Sequence, residues 1–217
     1  IESSYKSGIS NVWKDRVAKH KEYTAKIPFS DFKVFDFICQ YLPKNSQLQV
    51  SNSSAIRYLQ LFDLDKSIQV FCNRGTSGID GSTSTAIGAA LATNLPTILI
   101  TGDISFLYDS NALWNNYIPK NFKIILLNNS GGGIFRILPG HQETETFNRY
   151  FETSHQLNAS HLAKMYGFDY FEANDEATLQ QQYKSFLNQN EKPSILEIFT
   201  PEKENNGILL EFFRGLK

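Results

Sequence analysis

Two short runs of β-branched and apolar residues, Thr97 to Thr101 and Lys123 to Leu127, each stop at a polar turn, Gly102-Asp103 and Asn128-Asn129. Apolar runs of this length, bounded by turn residues, predict buried strands. Asn111 to Tyr117 lies between them and is long enough for a short helix, so the unit reads as strand, helix, strand with a right-handed crossover and parallel strands. The alternation continues in both directions. Upstream, Ser30 or Asp31 can cap a helix that carries Phe32, Phe35, Ile38, Cys39 and Leu42 at the helical repeat until Pro43 stops it. Leu48 to Val50 predicts a strand, 51–54 a polar turn, and Ala55 to Phe62 a helix. Ile68 to Cys72 predicts the next strand, which runs into the glycine loop NRGTSGIDG; the Ser-Thr-Ser-Thr run at 82–85 then caps a helix reaching Thr93. Downstream, 140–158 is polar and irregular, long enough for a mobile or functional loop. His161 to Tyr166, Asp175 to Asn188 and Glu204 to Arg214 predict helices, and Phe168 to Phe171 and Ser194 to Thr200 predict strands. Residues 1–26 are polar, with Val12, Trp13 and Val17 as the thin stripe of a short surface helix. The expected fold is α/β, a three-layer α/β/α domain around a parallel sheet of about six strands. Residues 1–47 form a helical lead-in and 48–217 the domain proper.

Parallel strands share a carboxyl edge, and open α/β sheets bind ligands there. Asp103 and Asn129 are 26 positions apart, yet both leave that edge. Together with the backbone of Ser130-Gly131-Gly132-Gly133 they form an oxygen-only set, which suits Mg²⁺ or Ca²⁺ rather than zinc or copper. Mg²⁺ completes its octahedron with phosphate oxygens and water, so a diphosphate is the implied partner. The same residue types also favour plain turns, and the pattern alone leaves both readings open. In the glycine loop, Gly78 and its neighbours permit close backbone approach, and amides at the following helix start attract phosphate. Neither a Walker loop nor G-x-G-x-x-G fits the spacing.

Gly102-Asp103 followed by Asn128-Asn129 resembles the thiamine-diphosphate motif, a GDG followed by NN, with Ile104 standing where the motif has its last Gly. GDISFLYDSNALW, NNSGGGIFRILP and NRGTSGIDGSTST together resemble one branch of that family, the 2-succinyl-5-enolpyruvyl-6-hydroxy-3-cyclohexene-1-carboxylate (SEPHCHC) synthases of menaquinone biosynthesis. The resemblance covers most of 48–166 and implies a thiamine-diphosphate-binding fold. It also implies that Asp103, Asn129 and the carbonyl of Gly131 hold Mg²⁺, or Mn²⁺ in its place, on thiamine diphosphate. Gly78, Gly102, Ile104, Ser105, Gly133 and Ile134 would border the cofactor, and Ile79 would wedge beneath it to enforce its bent shape. Ser53, Arg57 and Arg74 match substrate-facing positions, and guanidinium groups suit the carboxylates of 2-oxoglutarate and isochorismate. Ile134, Phe135 and Leu138 would form an apolar wall. The implied reaction is decarboxylation of 2-oxoglutarate and addition of the succinyl semialdehyde unit to isochorismate.

The first residue is Ile1, which predicts a processed or excised piece. A thiamine enzyme of this kind needs a second, pyrimidine-binding domain carrying an activating glutamate. The resemblance therefore implies that this domain comes from a partner subunit, in a homodimer or homotetramer, and that the 217 residues alone are inactive. With 21 basic against 22 acidic residues the net charge is −1, so no broad field draws in nucleic acid or anionic membrane. Two cysteines, Cys39 and Cys72, make no disulfide framework, and a reducing cytoplasm is expected. No apolar run approaches the ~20 residues of a membrane span. His20, His141, His155 and His161 lack partners at informative spacing and are read as surface or packing residues, and no G-x-S-x-G marks a hydrolase. The rival readings are another thiamine carboligase or decarboxylase, such as acetolactate synthase, and a non-catalytic nucleotide-binding or assembly domain.

Overall fold

The computed structural model describes residues 2–216; Ile1 and Lys217 lie outside them. Six strands form one sheet: β1 (Gln47–Val50), β2 (Gln69–Cys72), β3 (Thr97–Gly102), β4 (Lys123–Asn128), β5 (Asp169–Ala173) and β6 (Ser194–Phe199). Their order is β2-β1-β3-β4-β6-β5, and every pairing is parallel. All six carboxyl ends therefore lie along one edge.

Side chains of a strand point alternately to its two faces. Ile98, Ile100, Ile125, Leu127, Leu196 and Ile198 enter one core, whereas Leu99, Ile124, Leu126 and Ile195 enter the other. Burial on both faces is why the central strands read as unbroken apolar runs. The long helix α1 (Glu2–Lys26) precedes α2 (Asp31–Tyr41) and α3 (Ser54–Leu59). Phe32, Phe35 and Ile38 of α2 and Tyr58 of α3 pack on the first face. The second face is covered by α4 (Ser82–Leu91), α5 (Asp103–Tyr108) and α6 (Ser160–Tyr166), through Ala86, Ile87, Phe106 and Ala163. The chain returns to the first face with α7 (Glu176–Asn188) and α8 (Asn205–Gly215), which add Tyr183, Phe186 and Phe212. The result is the expected three-layer α/β/α arrangement. Among the described residues, no helix is long and apolar enough to cross a membrane.

Several local expectations are corrected. The N-terminal helix is not short: α1 runs for 25 residues, and its far end docks by stacking the His20 ring on Phe62 and Phe212. Burial holds that imidazole below its ordinary pKa, as befits a packing residue. The crossover helix is not at 111–117. It begins at Asp103 itself, whose Oδ1 accepts from the Ile104 N–H at 2.7 Å, and 110–114 forms only a 3-10 turn. α3 stops at Leu59, short of Phe62. The Ser-Thr-Ser-Thr run does not cap α4: Gly81 holds the cap position at φ +68°, and the Ser84 N–H donates to Asp109 Oδ2 at 2.7 Å. Segment 140–158 is not wholly irregular, because 147–152 forms a π-helix with Glu152 buried.

Glu197 on β6 is fully buried and accepts from Asn128 Nδ2, the Ala159 N–H and the Tyr170 hydroxyl at 2.7, 2.8 and 2.7 Å. It fixes the last residue of β4, immediately before Asn129. Replacing Glu197 by Leu removes the acceptor shared by three donors, of which the buried Ala159 N–H is left unpaired, and the expected cost is about 2 kcal/mol or more. Urea unfolding checks this as a lowered midpoint at unchanged m-value; a midpoint equal to the parent's would show that the network carries no stability.

Candidate functional site

β3 and β4 pair with Gly102 opposite Leu127, so Asp103 and Asn129 emerge from neighbouring strands at the carboxyl edge. Both line a single cleft of about 500 Å³. The Asp103 carboxylate is buried, and its Oδ2 accepts from the Gly131 N–H at 2.9 Å. That bond stitches the two strand tips together.

Gly131 has φ +155°, and a Cβ there would lie 2.7 Å from the Glu152 carbonyl oxygen. The contact arises because the π-helix is pulled onto this loop. The Gly132 N–H donates to that same carbonyl at 2.6 Å, and the buried Arg136 guanidinium pairs through Nε and Nη2 with the Glu152 carboxylate. Backbone strain gathers here too: of five described non-glycine residues with positive φ, Ser53, Ser77 and Thr153 line the cleft, and Ser130 separates Asn129 from Gly131. Strained backbone of this kind clusters at ligand sites.

The other side chains singled out from the sequence divide between the cleft and its surroundings. Gly102, Ile104 and Ser105 line it from the β3 tip, and Gly133, Ile134, Phe135 and Leu138 from beyond β4. Gly78 and Ile79 enter from the glycine loop, where the Ser105 hydroxyl donates to the Ile79 carbonyl at 2.6 Å. Ser53 and Arg57 also line the cleft; the exposed Arg57 guanidinium donates to the Ser53 carbonyl at 2.8 Å. Arg74 is placed outside the lining. Its Nη1 donates to Asn52 Oδ1 at 2.7 Å, and Asn52, which does line the cleft, bonds the Ser77 carbonyl through Nδ2. The start of α4 is likewise outside, engaged by Asp109 rather than open to phosphate.

Two residues escape a reading of the sequence. Asp31, read with Ser30 as one of two possible helix caps, leaves the cap position to Ser30; it turns its carboxylate into the cleft wall and accepts from Asn129 Nδ2 at 3.0 Å and the Thr200 hydroxyl at 2.6 Å. Burial, and the negative charge of Asp103 nearby, push its carboxyl up to about 6 against those two hydrogen bonds. His155, read as lacking a partner, has Nε2 3.3 Å from Asp103 Oδ2, within charge-pairing distance but without hydrogen-bond alignment. Contact with Asp103 raises its imidazole pKa above the ordinary value, against the effect of burial. Nδ1 accepts from the Leu157 N–H at 3.1 Å, so in the neutral ring the proton is on Nε2, facing Asp103. No local signal marks either residue, because the partners lie 98 and 52 positions away.

The donor set fits a hard divalent cation. Among the described residues no three His, Cys, Asp or Glu side chains gather as a metal cluster, and Asp31 and Asp103 have no Lys or Arg ion-pair partner. The oxygens on offer are the Asp103 carboxylate, Asn129 Oδ1, which makes no hydrogen bond among the described residues, and the backbone of a glycine loop. Such sites take Mg²⁺ together with phosphate oxygens.

A parallel sheet with these groups on adjacent strand tips is the architecture of a coenzyme diphosphate-binding domain. The chain belongs to the family described as thiamine pyrophosphate enzyme, C-terminal TPP binding domain, whose profile matches residues 52–198. It is similar to proteins named 2-succinyl-5-enolpyruvyl-6-hydroxy-3-cyclohexene-1-carboxylate synthase. Those of Flavobacterium johnsoniae and Flavobacterium psychrophilum are 63% and 65% identical over 216 residues, the whole of this chain and 39% of each relative. That of Bacteroides fragilis is 42% identical over 194 residues, 88% of this chain and 35% of the relative. The chain thus spans about two fifths of the length of the curated relatives it matches.

Gly131→Ala is expected to push the loop off the Glu152 carbonyl and weaken joint binding of Mg²⁺ and thiamine diphosphate about tenfold or more. Gly88→Ala, where a Cβ meets nothing within 4 Å, is the control and leaves binding unchanged. Isothermal calorimetry reads both; equal affinities would show that the glycine is not required.

Proposed function

We propose that this chain is the diphosphate-binding part of a SEPHCHC synthase. With Mg²⁺ or Mn²⁺ and thiamine diphosphate, the whole enzyme would decarboxylate 2-oxoglutarate and add the succinyl semialdehyde unit to isochorismate in menaquinone biosynthesis. The observation that supports this most is the meeting of Asp103, Asn129 and the Gly131 loop in a cleft that the apolar Ile134, Phe135 and Leu138 also line. Thiamine diphosphate, when bound, supplies the electron sink for cleaving a carbon–carbon bond beside a carbonyl.

In this reading Asp103, Asn129 Oδ1 and the Gly131 carbonyl hold the metal, and Gly102, Ile104 and Ser105 border the diphosphate with Gly78 and Gly133. Ile79 is the wedge, and the Ser105 hydroxyl on its carbonyl keeps that loop in place. Arg57, in the cleft wall, takes a substrate carboxylate with Ser53 beside it. Arg74 reaches the rim only through Asn52, so its part is to hold Asn52 or to engage a carboxylate from behind the wall. Ile134, Phe135 and Leu138 exclude water where it would quench the reaction. Tyr108 and Tyr150, each 68% exposed, stand at the cleft and await cover. A pyrimidine-binding domain from a partner subunit, in a homodimer or homotetramer, would supply that cover and the activating glutamate. The free thiols of Cys39 and Cys72 accord with a cytoplasmic setting.

An assay of the full-length enzyme with 2-oxoglutarate, with and without isochorismate, tests the reading. The product is expected to require isochorismate, thiamine diphosphate and Mg²⁺, and Asp103→Ala and Asn129→Ala are each expected to lower kcat/KM by about a hundredfold. Turnover with pyruvate and none with isochorismate would assign an acetolactate synthase-like activity instead. Normal rates and cofactor dependence in both variants would remove the metal assignment.

A further inference from the structure

We propose that Asp31 is a positioning residue for the metal-binding amide: it holds Asn129 with Nδ2 turned toward α2, so that Oδ1 is left for the cation. This rests on the reading of the cleft given above. An amide side chain offers N–H donors on one side and a carbonyl on the other, and a carboxylate placed against one side selects the donors. Asp31 Oδ2 makes that contact with Asn129 Nδ2 at 3.0 Å. The acid is itself immobilised. Its Oδ1 accepts from the Thr200 hydroxyl at 2.6 Å, just beyond β6, and its backbone N–H donates at 2.8 Å to Asn205 Oδ1 at the start of α8.

A plain structural role does not account for the carboxylate. A capping aspartate accepts from amides of its own helix, but both oxygens of Asp31 bond side chains outside α2. Docking of α2 against α8 is already made by the backbone N–H and by the shared core. The side chain is 3% exposed and has no Lys or Arg partner among the described residues. Burying an acid in that state is costly, and its consequence in this structure is the orientation of one amide. Groups that orient a metal ligand from behind typically change affinity by about ten- to a hundredfold when removed.

The test uses the full-length enzyme that contains this chain, with thiamine diphosphate titrated by calorimetry in Mg²⁺ and the metal site read by electron paramagnetic resonance of Mn²⁺. Asp31→Ala is expected to raise the Kd for thiamine diphosphate about ten- to a hundredfold and to alter the Mn²⁺ spectrum. In an Asn129→Ala background the same change is expected to have no further effect, because its target is gone. Asp31→Asn, which still offers an oxygen to Asn129, is expected to bind within about threefold of the parent. Should Asp31→Ala not fold, Thr200→Val loosens the acid from its other side and is expected to weaken binding in the parent but not in the Asn129→Ala background.

Parent-like binding by Asp31→Ala, or by Thr200→Val where that variant stands in, overturns the inference alone. So does an equal loss in both backgrounds, which would place the effect in the fold rather than in Asn129. A parent enzyme that binds no thiamine diphosphate in Mg²⁺ overturns the reading of the cleft and this inference with it.

Discussion

The hydrogen bond from the Gly131 N–H to Asp103 Oδ2 is the constraint from which the rest of the site follows. Parallel pairing of β3 and β4 brings the two tips to one edge, but pairing alone leaves the segments beyond them free to diverge. The bond closes them over a common space, and it requires the backbone at 131 to turn with positive φ against the Glu152 carbonyl. Glycine is the residue that tolerates that turn. Glu152 is held in its turn by Arg136, from the 3-10 segment that carries Ile134 and Phe135. One loop therefore fixes the Gly131 backbone, the apolar residues Ile134 and Phe135, and the π-helix together.

Electrostatics at the cleft are local rather than global. A chain of net charge −1 has no long-range field to speak of, yet two buried acids face the cleft, and Arg57, the basic side chain in its lining, is exposed and donates to the Ser53 carbonyl. Arg136 is consumed by Glu152 and Glu143, and Arg74 by Asn52, so neither neutralises Asp31 or Asp103. A buried ion pair such as Arg136–Glu152 adds little net stability over an apolar pair, but losing one partner is costly. Its use here is geometric: it fixes the carbonyl against which Gly131 must turn.

The sheet was legible because its central strands are buried on both faces and so appear as unbroken apolar runs closed by turn residues. Thr97 to Thr101 and Lys123 to Leu127 show this directly, and their shared carboxyl edge followed from parallel pairing alone. The crossover helix was misplaced because Asp103 is both a turn-favouring residue and, here, the first residue of α5, which the strand-end reading hid. The π-helix left no trace in a polar segment, since its order comes from the Arg136–Glu152 pair rather than from periodicity. Asp31 and His155 were opaque for a related reason. Each acts across the fold on a residue distant in sequence, and a lone acid at a helix start or a lone histidine in a loop carries ordinary local meanings.

Under the proposed function the cleft needs a cover that its apolar wall does not supply. A surface that must keep water from a reacting centre works only when covered, because desolvation is what strengthens the polar interactions inside. Leu138 is 49% exposed, and Tyr108, Tyr150 and Phe151 leave large apolar faces beside the same opening. Scattered single apolar residues on a surface need no explanation, but several that line one strained cleft are what the proposed partner domain would cover. The proposed metal ligands, by contrast, all come from this chain. The proposed division of labour runs through the cleft itself, with the anchoring chemistry on the strand tips and the dry environment dependent on what would close over Leu138 and Tyr150.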